Sequence, residues 1–367
     1  MTDGLEGIVA ASTRLSHVDG EAGRLTIAGY AVDDLAPRAG FEDVAYLLVH
    51  GELPGPSART AFALDLARRR TLPPLALEVL REAAACGTPP MDALRMAVPI
   101  LSLARPADPL EEAMTAIAAF PTIVGTYWRY RTGATPVPVR VDVPHAAHYL
   151  HQLTGDEPEP ARTRALETYL NTVCDHGLNA STFAARVIVS TRSDVISALT
   201  GAVGALKGPL HGGAPGPALD MVFEIGTLER AEAVIRAKLD RGERLMGFGH
   251  RIYRVRDPRA DVLARAAEQF YAGGSDRRVY DLAKSVEATA LRLLRERKPD
   301  RRLETNVEFY TALLLHGLGL PTELFTPTFA VGRVAGWSAH CLEQLREGKL
   351  IRPQSSYIGR TGLRYGT

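Results

Sequence analysis

The sequence predicts an all-α, mainly helical protein with a small N-terminal β-hairpin, and three observations carry the prediction. Apolar residues recur at helical spacing along most of the chain; Phe41, Val44, Ala45, Leu48 and Val49, for example, share one helix face. About a dozen such segments follow one another, separated by Pro- and Gly-bearing breaks with few strand signals. β-Compatible residues with a turn signal are confined to the N-terminal part of the chain.

Taken in order, Gly7 to Thr13 reads as an outgoing strand, Asp19-Gly20 as the turn and Arg24 to Ala28 as the return. The helical segment from Phe41 ends at His50-Gly51, where glycine suits a C-cap. Helices are then expected over Ser57 to Arg70, Pro74 to Cys86, Met91 to Ala104, Leu110 to Arg131, Val143 to Leu153 and Pro160 to Asn171. Others follow over Asp194 to Leu206, Leu228 to Arg241, Pro258 to Ala272, Arg277 to Arg297, Val307 to Leu318 and Thr328 to Arg346. No fixed-period repeat suggests a solenoid. No low-complexity linker is present, so any domain boundary must be made by packing.

Composition bounds the function. At roughly 150 residues per domain, 367 residues suggest about two domains. Apolar residues at 46% and charged residues at 23% exclude disordered and fibrous classes. A net charge of +1 supplies no field for nucleic acid or an anionic membrane. Cys86, Cys174 and Cys341 are scattered and odd in number, which argues against a disulfide framework and for a reducing, cytoplasmic setting. No basic-then-apolar signal layout opens the chain, and no run approaches the ~18 apolar residues that span a bilayer. With 38 Arg and 5 Lys, a lone Arg carries little information.

Two stretches break the helical rhythm with glycine and histidine: Gly204 to Gly213 and Met246 to Tyr253. Such loops between rigid helices are where chemistry tends to sit. His211 lies in the first and His250 in the second, while His176 lies in a polar stretch running from Cys174 to Arg186. Three imidazoles so placed could polarise carbonyl groups or shuttle protons. By contrast, His145, His148 and His151 recur at steps that rotate around a helix and cannot easily converge on one ion, so they read as solvated helix-face residues and no metal site is expected. His17, His50, His316 and His340 have no surrounding signal.

Arg259, Arg333 and Arg352 lie next to Pro or Gly, or in a segment that bears them, and each could be held rigidly enough to fork onto a carboxylate. The plain alternative for each is a solvated side chain. Glu308 opens an otherwise apolar helix. It reads either as a first-turn carboxylate favoured by the helix dipole or as a base whose burial raises its pKa. The phosphate-binding Gly-x-x-x-x-Gly-Lys motif, a strand-bound dinucleotide fingerprint and a serine nucleophile elbow are all absent.

Together these stretches resemble the citrate synthase family, and specifically its short bacterial members. The similarity begins with Gly4 to Gly7, Asp19 to Tyr30, Val44 to Leu48 and Gly51 to Pro54. It continues through Leu178 to Thr182, Gly204 to Gly213, Met246 to Arg259, Asn306 to Tyr310 and Phe325 to Trp337, and ends at Ile351 to Pro353. Each is weak alone; their order and spacing are specific. The resemblance implies a mostly helical homodimer in which residues 1–210 and 309–367 form a large domain and 211–308 a small one, around a cleft. It implies condensation of acetyl-CoA with oxaloacetate and water to citrate and CoA, through an enol or enolate and citryl-CoA. That is a step of the tricarboxylic acid cycle, with acetyl-CoA as co-substrate and no cofactor or metal.

By the same resemblance, His176 binds oxaloacetate, His211 bonds the thioester carbonyl and His250 polarises the keto group. Arg259 and Arg333 hold oxaloacetate carboxylates, Arg352 reaches into the partner's site, and Glu308 takes the acetyl proton. Gly247, Phe248 and Gly249 resemble the loop on the adenine side of CoA, and the basic cluster Arg297, Lys298, Arg301 and Arg302 is placed to meet its phosphates or simply to solvate a helix end. The family usually carries Asp where Glu308 stands, Asn-Glu where Pro215-Gly216 stands, and Pro where Thr305 stands. Two rivals remain: a 2-methylcitrate synthase using propionyl-CoA, since one methylene shifts selectivity by only ~1–3 kcal/mol, and a non-catalytic relative that binds oxaloacetate or CoA.

Overall fold

The structure is a computed structural model and describes every residue except 1, 2, 6, 107, 213, 214, 251, 274–276 and 365–367. Glu6, Gly213 and Arg251, which fall within the resembling stretches, thus lie outside the described residues.

Three short antiparallel strands open the fold in the order β1 (Ser16–Asp19), β2 (Arg24–Ile27) and β3 (Tyr30–Ala31). The outgoing strand is therefore not Gly7 to Thr13. Asp19 pairs with Arg24 and Ser16 with Ile27, so the turn sits directly after Asp19, and strand residues must adjoin it. Asp19 Oδ1 accepts the Ala22 amide at 2.8 Å and fixes that turn.

The helices are α1 (Val32–Leu35), α2 (Phe41–His50), α3 (Pro56–Arg68), α4 (Pro74–Ala85), α5 (Pro90–Ala97), α6 (Pro109–Arg131), α7 (His145–Thr154) and α8 (Pro160–Val173). They continue with α9 (Ala180–Ser190), α10 (Val195–Leu206), α11 (Pro215–Ile225), α12 (Leu228–Asp240), α13 (Pro258–Ala272), α14 (Arg277–Arg297), α15 (Val307–Gly317) and α16 (Phe325–Glu347). The expected helix over Met91 to Ala104 is α5 followed by a 3-10 segment, Val98–Ala104, with Pro99 near its start.

Two long helices, α6 and α16, form the centre. Every residue of α6 from Ala113 to Tyr127 is buried. Such a helix is hydrophobic all round and belongs in a core. Its ends are set by local chemistry: Asp108 caps the start by accepting the Glu111 amide at 2.9 Å, and Arg129 and Arg131 meet the negative end of the dipole. Around this pair pack α2, α4, α7, α8, α9 and α10. A second group packs largely on itself, with α13 on α15, α12 on α14 and α11 on α15, and α13 also meets α8.

One close approach positions the site. Cβ atoms at Gly332 and Gly336 of α16 would lie 2.9 Å from Leu170 O and 2.2 Å from Cys174 O. Only glycine lets α16 press against the end of α8, and that contact sets Arg333 beside the Cys174–His176 segment.

His145 and His148 are not solvated. Both are fully buried, because α7 packs on α6 and α8 and its histidine spacing faces that seam. His145 stacks on Phe41 with centroids 4.3 Å apart, and His148 Nε2 lies 3.0 Å from Thr122 Oγ1. Burial, with Arg70 nearby, pushes the His148 pKa down to about 2 and that of His145 well below the ordinary value. His340 is fully buried as well, its Nδ1 facing Arg186 Nη1 at 2.8 Å and its Nε2 facing Asp175. No helix among the described residues is long and apolar enough to cross a membrane.

Candidate active site

Six of the sequence-selected residues come from six parts of the fold. His176 lies between α8 and α9. His211 lies in the turn after α10. His250, Arg259 and Glu308 come from the 246–250 loop, the first turn of α13 and the first turn of α15, and Arg333 comes from α16.

His176 and His250 meet edge to face, with ring centroids 5.8 Å apart. Tyr253 lies against both rings, and its hydroxyl is 3.1 Å from His176 Nε2. His250 Nδ1 accepts the amides of Ile252 and Tyr253 at 3.0 and 3.1 Å. Backbone amides can only donate, so the proton of the neutral ring sits on Nε2. That Nε2 lies 3.3 Å from Arg259 Nη2, itself a donor. Two donors thus converge on one place and lack a common acceptor among the described residues.

Arg259 is also held from behind. Its Nε and Nη2 fork onto Asp257 at 3.0 and 2.8 Å, and Asp257 caps α13 through the Arg259 amide. Burial pulls the Arg259 pKa down, but Asp257 outweighs it and the net shift is upward. The fork expected for a ligand carboxylate is therefore partly occupied by Asp257.

Arg333 differs. It is 1% exposed and forms no ion pair among the described residues. Nε donates to Val173 O at 2.6 Å, and the guanidinium stacks over Phe329 at 4.5 Å. Burial drags its pKa down to about 10, a sign of how little anionic charge balances it.

His211 Nε2 faces Ser181, 2.8 Å from the hydroxyl and 3.4 Å from the amide. The amide can only donate, which favours Nε2 as acceptor and a proton on Nδ1. Ser181 is fixed in turn by Asn179 Oδ1 at 2.7 Å and by the Trp337 indole at 3.1 Å. Burial pushes His211 and His250 down to about 4 and His176 well below the ordinary value, with the nearby arginines adding to each shift. All three rings are neutral near pH 7, so they serve as hydrogen-bonding groups and not as fixed cations.

Glu308 is half-buried, and its amide is capped by Asn306 Oδ1 at 3.0 Å. Burial raises its pKa to about 7, with Arg259 and Arg244 opposing and Asp257 assisting. A carboxyl group held there can exchange a proton near neutrality. Its helix start is stitched to the histidine loop: the Asn306 amide donates to Gly247 O at 2.9 Å, and the Gly249 amide donates to Glu304 O at 2.7 Å. Gly247, at φ 87°, has space only for hydrogen, because a Cβ would lie 3.0 Å from Phe309 Cβ.

A cavity of about 590 Å³ opens beside His250. Of the residues selected from the sequence for CoA, Phe248, Gly249, Lys298 and Arg301 line it and Gly247 does not; Arg244, which sequence reasoning missed, lines it too. Arg297 does not line it and pairs with Asp240, and Arg302 is exposed outside it. Arg352 is exposed on the C-terminal tail, beside a separate cavity of about 560 Å³ that includes none of the three histidines. A single chain does not bring Arg352 to the site. Ser181, Tyr253, Asp257 and Asn306 were also missed as site residues. The signals available were the caps: Asn306 and Asp257 each precede a helix start, and Asp257 precedes Pro258. Among the described residues no three His, Cys, Asp or Glu side chains gather as a metal site.

The sequence model described as "Citrate synthase, C-terminal domain" matches residues 4–354. The citrate synthase of Haloferax volcanii is 39% identical, with 98% of this chain and 96% of that protein aligned. The 2-methylcitrate synthase of Shewanella oneidensis is 38% identical over 97% of this chain and 94% of its own. Among solved structures, citrate synthase from Pyrobaculum aerophilum superimposes with a TM-score of 0.90 at 36% identity, covering 99% of this chain and 93% of that one. Citrate synthase from Thermoplasma acidophilum, solved with carboxymethyl coenzyme A and oxaloacetate, gives 0.89 at 28% identity, covering 100% and 98%. With the family model running through almost the whole length and the fold matched at this level, the chain belongs to the citrate synthase family.

Proposed function

We propose that the protein condenses acetyl-CoA with oxaloacetate and water to give citrate and CoA. The observation that carries this reading is a buried donor set with more donors than acceptors: the His250 Nε2 proton faces Arg259, whose only ion pair among the described residues is with Asp257, and Arg333 is buried without an ion pair among the described residues. A small keto dicarboxylate supplies the missing acceptors. Its carboxylates meet Arg333 and the free edge of Arg259, its keto oxygen meets His250, and His176, braced by Tyr253, completes the pocket.

A thioester α-proton is too weakly acidic for a carboxylate alone. His211 donates from Nδ1 to the thioester oxygen and stabilises charge as it develops, while Glu308 takes the proton. The nucleophilic carbon attacks the keto carbon polarised by His250, and citryl-CoA is then hydrolysed. Arg244, Lys298 and Arg301 at the cavity mouth suit the CoA phosphates, with the Gly247–Gly249 backbone beneath the adenine. Residues 211–308 act as a small domain closing on the large domain formed by 1–210 and 309–367, which excludes water from the first step. The enzyme works as a cytoplasmic homodimer, with the partner subunit's Arg352 completing each site and no cofactor beyond the acyl-CoA co-substrate.

The 38% identity to a 2-methylcitrate synthase supports a second reading with propionyl-CoA. Products identified by mass spectrometry from oxaloacetate with each acyl-CoA decide between them. Higher kcat/KM with acetyl-CoA, giving citrate, supports the proposal; preference for propionyl-CoA, giving 2-methylcitrate, replaces it.

A further inference from the structure

Glu287 lies on α14 and is 4% exposed, yet four donors meet its two oxygens. Oε1 accepts from the Thr305 hydroxyl at 2.7 Å and from Arg256 Nη1 at 2.8 Å. Oε2 accepts from the Tyr310 hydroxyl at 2.5 Å and from Lys284 Nζ at 3.1 Å. Burial pushes this carboxyl's pKa up, but the bonds from Tyr310, Thr305 and Arg256 outweigh it and hold it below the ordinary value, so it stays ionised at neutral pH. A buried anion with every lone pair engaged is a rigid anchor.

What it anchors lies in the site. Thr305 precedes and Tyr310 follows Glu308, so the turn bearing that carboxyl is held on both sides by one group. Arg256 directly precedes Asp257, whose carboxylate orients Arg259, and the Asp257 amide donates to Thr305 O at 3.3 Å. Phe248 bridges to Thr305 as well, which joins the histidine loop to the same anchor. The Glu287 carboxylate touches none of the proposed reacting groups itself.

We propose that Glu287 is a positioning residue for proton abstraction: through Thr305 and Tyr310 it fixes where Glu308 meets the acetyl methyl group. The inference rests on the reading of Glu308 as the base. Misplacement by about an ångström can cost about a hundredfold in rate, so loss of this anchor shows in kcat before it shows in oxaloacetate binding.

The test uses the full-length enzyme with acetyl-CoA and its trideuterated form, comparing wild type, Glu287→Gln, Thr305→Val, Tyr310→Phe and the double variant Thr305→Val/Tyr310→Phe. Expected are falls in kcat of about 3–10-fold for each single hydroxyl deletion and about 10–100-fold for Glu287→Gln. KM for oxaloacetate changes less than about 3-fold, and the deuterium isotope effect on kcat rises as proton transfer becomes slower. The double variant falls no further than Glu287→Gln, because both hydroxyls act through one carboxylate. Should Glu287→Gln fail to fold, the two hydroxyl deletions carry the test. Wild-type kcat and isotope effect in the folded variants overturn the inference, as does a loss of thermal stability with no change in either. If wild type itself releases no CoA, it is the reading of the reaction that fails; if wild type is active and the variants match it, only the role of Glu287 fails.

Discussion

Asn306 Nδ2 donates to the carbonyl oxygen of Gly249 at 2.8 Å, while Asn306 Oδ1 caps the helix that carries Glu308. One side chain therefore couples the loop of His250 to the helix start of the proposed base. The proposed electrophile side and the proposed proton-abstracting side of the reaction are set by the same amide. Asn306→Asp keeps the cap and loses the donor, whereas Asn306→Ala loses both. We expect kcat to fall about tenfold for Asp and further for Ala, with about 1 kcal/mol of stability lost only in Ala. Steady-state kinetics beside thermal melts separate the two effects, and wild-type kinetics in Asn306→Asp would show that the Gly249 contact is idle.

The pH dependence follows from Glu308. A base must be ionised to act, so kcat/KM rises with pH through about 7 and levels above it. The stability contribution has the opposite sense. The folded pKa is raised above the ordinary 4.5, so this stability is full below 4.5 and is lost as pH rises through about 7. Glu308→Gln should abolish that pH-dependent component of the melting temperature. A rate profile flat between pH 6 and pH 8, or falling across that range, contradicts the assignment.

Arg333 predicts an unusual split. Its burial without an ion pair among the described residues costs the free protein, so Arg333→Met should leave the ligand-free melting temperature within a few degrees of wild type. The same variant should lose the stabilisation that millimolar oxaloacetate gives wild type, and KM for oxaloacetate should rise about a hundredfold or more. Thermal shift with and without oxaloacetate reads both. Retained stabilisation by oxaloacetate would remove Arg333 from the site.

Ser181 orders His211 and accepts the Trp337 indole proton. In Ser181→Ala the imidazole loses the hydroxyl at Nε2 and keeps only the more distant 3.4 Å backbone amide, and kcat should fall about tenfold with KM for oxaloacetate unchanged. The buried Trp337 N–H is left without that acceptor, at a cost of about 1–3 kcal/mol. Denaturant unfolding and initial rates measure the two losses, and unchanged kcat in the folded variant contradicts the role given to this serine.

Arg352 lies away from the histidines of its own chain. If the partner subunit's Arg352 completes the site, Arg352→Ala and His211→Ala homodimers are both weak, and mixing them should restore up to about a quarter of wild-type activity, since random exchange makes half the dimers mixed with one intact site each. No recovery after verified subunit exchange would place Arg352 outside the site.

Much of this was legible in the sequence where local chemistry decides structure. Helices α13 and α14 run over the expected residues, because Asp257-Pro258 is a start signal and the long α14 is strongly amphipathic. Helix α9 was not read: its first turn, Ala-Ser-Thr after Asn179, looks like a polar loop, although Asn179 Oδ1 caps it by accepting the Thr182 amide. Helix α11 was hidden by the Gly- and Pro-rich stretch in which it begins. Periodicity showed that His145 and His148 belong to a helix but not what the helix packs against, and burial reversed their expected exposure. Among site residues, His176, His250, Arg259, Glu308 and their Gly-rich loops carried signals. Glu287 carried none, because its four partners are gathered only by the tertiary fold.

The central claim is most directly tested by CoA release from oxaloacetate and acetyl-CoA at saturating concentrations, comparing wild type with Glu308→Gln, an uncharged group of nearly the same shape. The account predicts sustained release and citrate formation by wild type, and a fall of about a thousandfold or more in Glu308→Gln, whose fold and oxaloacetate-dependent thermal shift persist. Release by Glu308→Gln within a few-fold of wild type, or silence from correctly folded wild-type dimer, would contradict it.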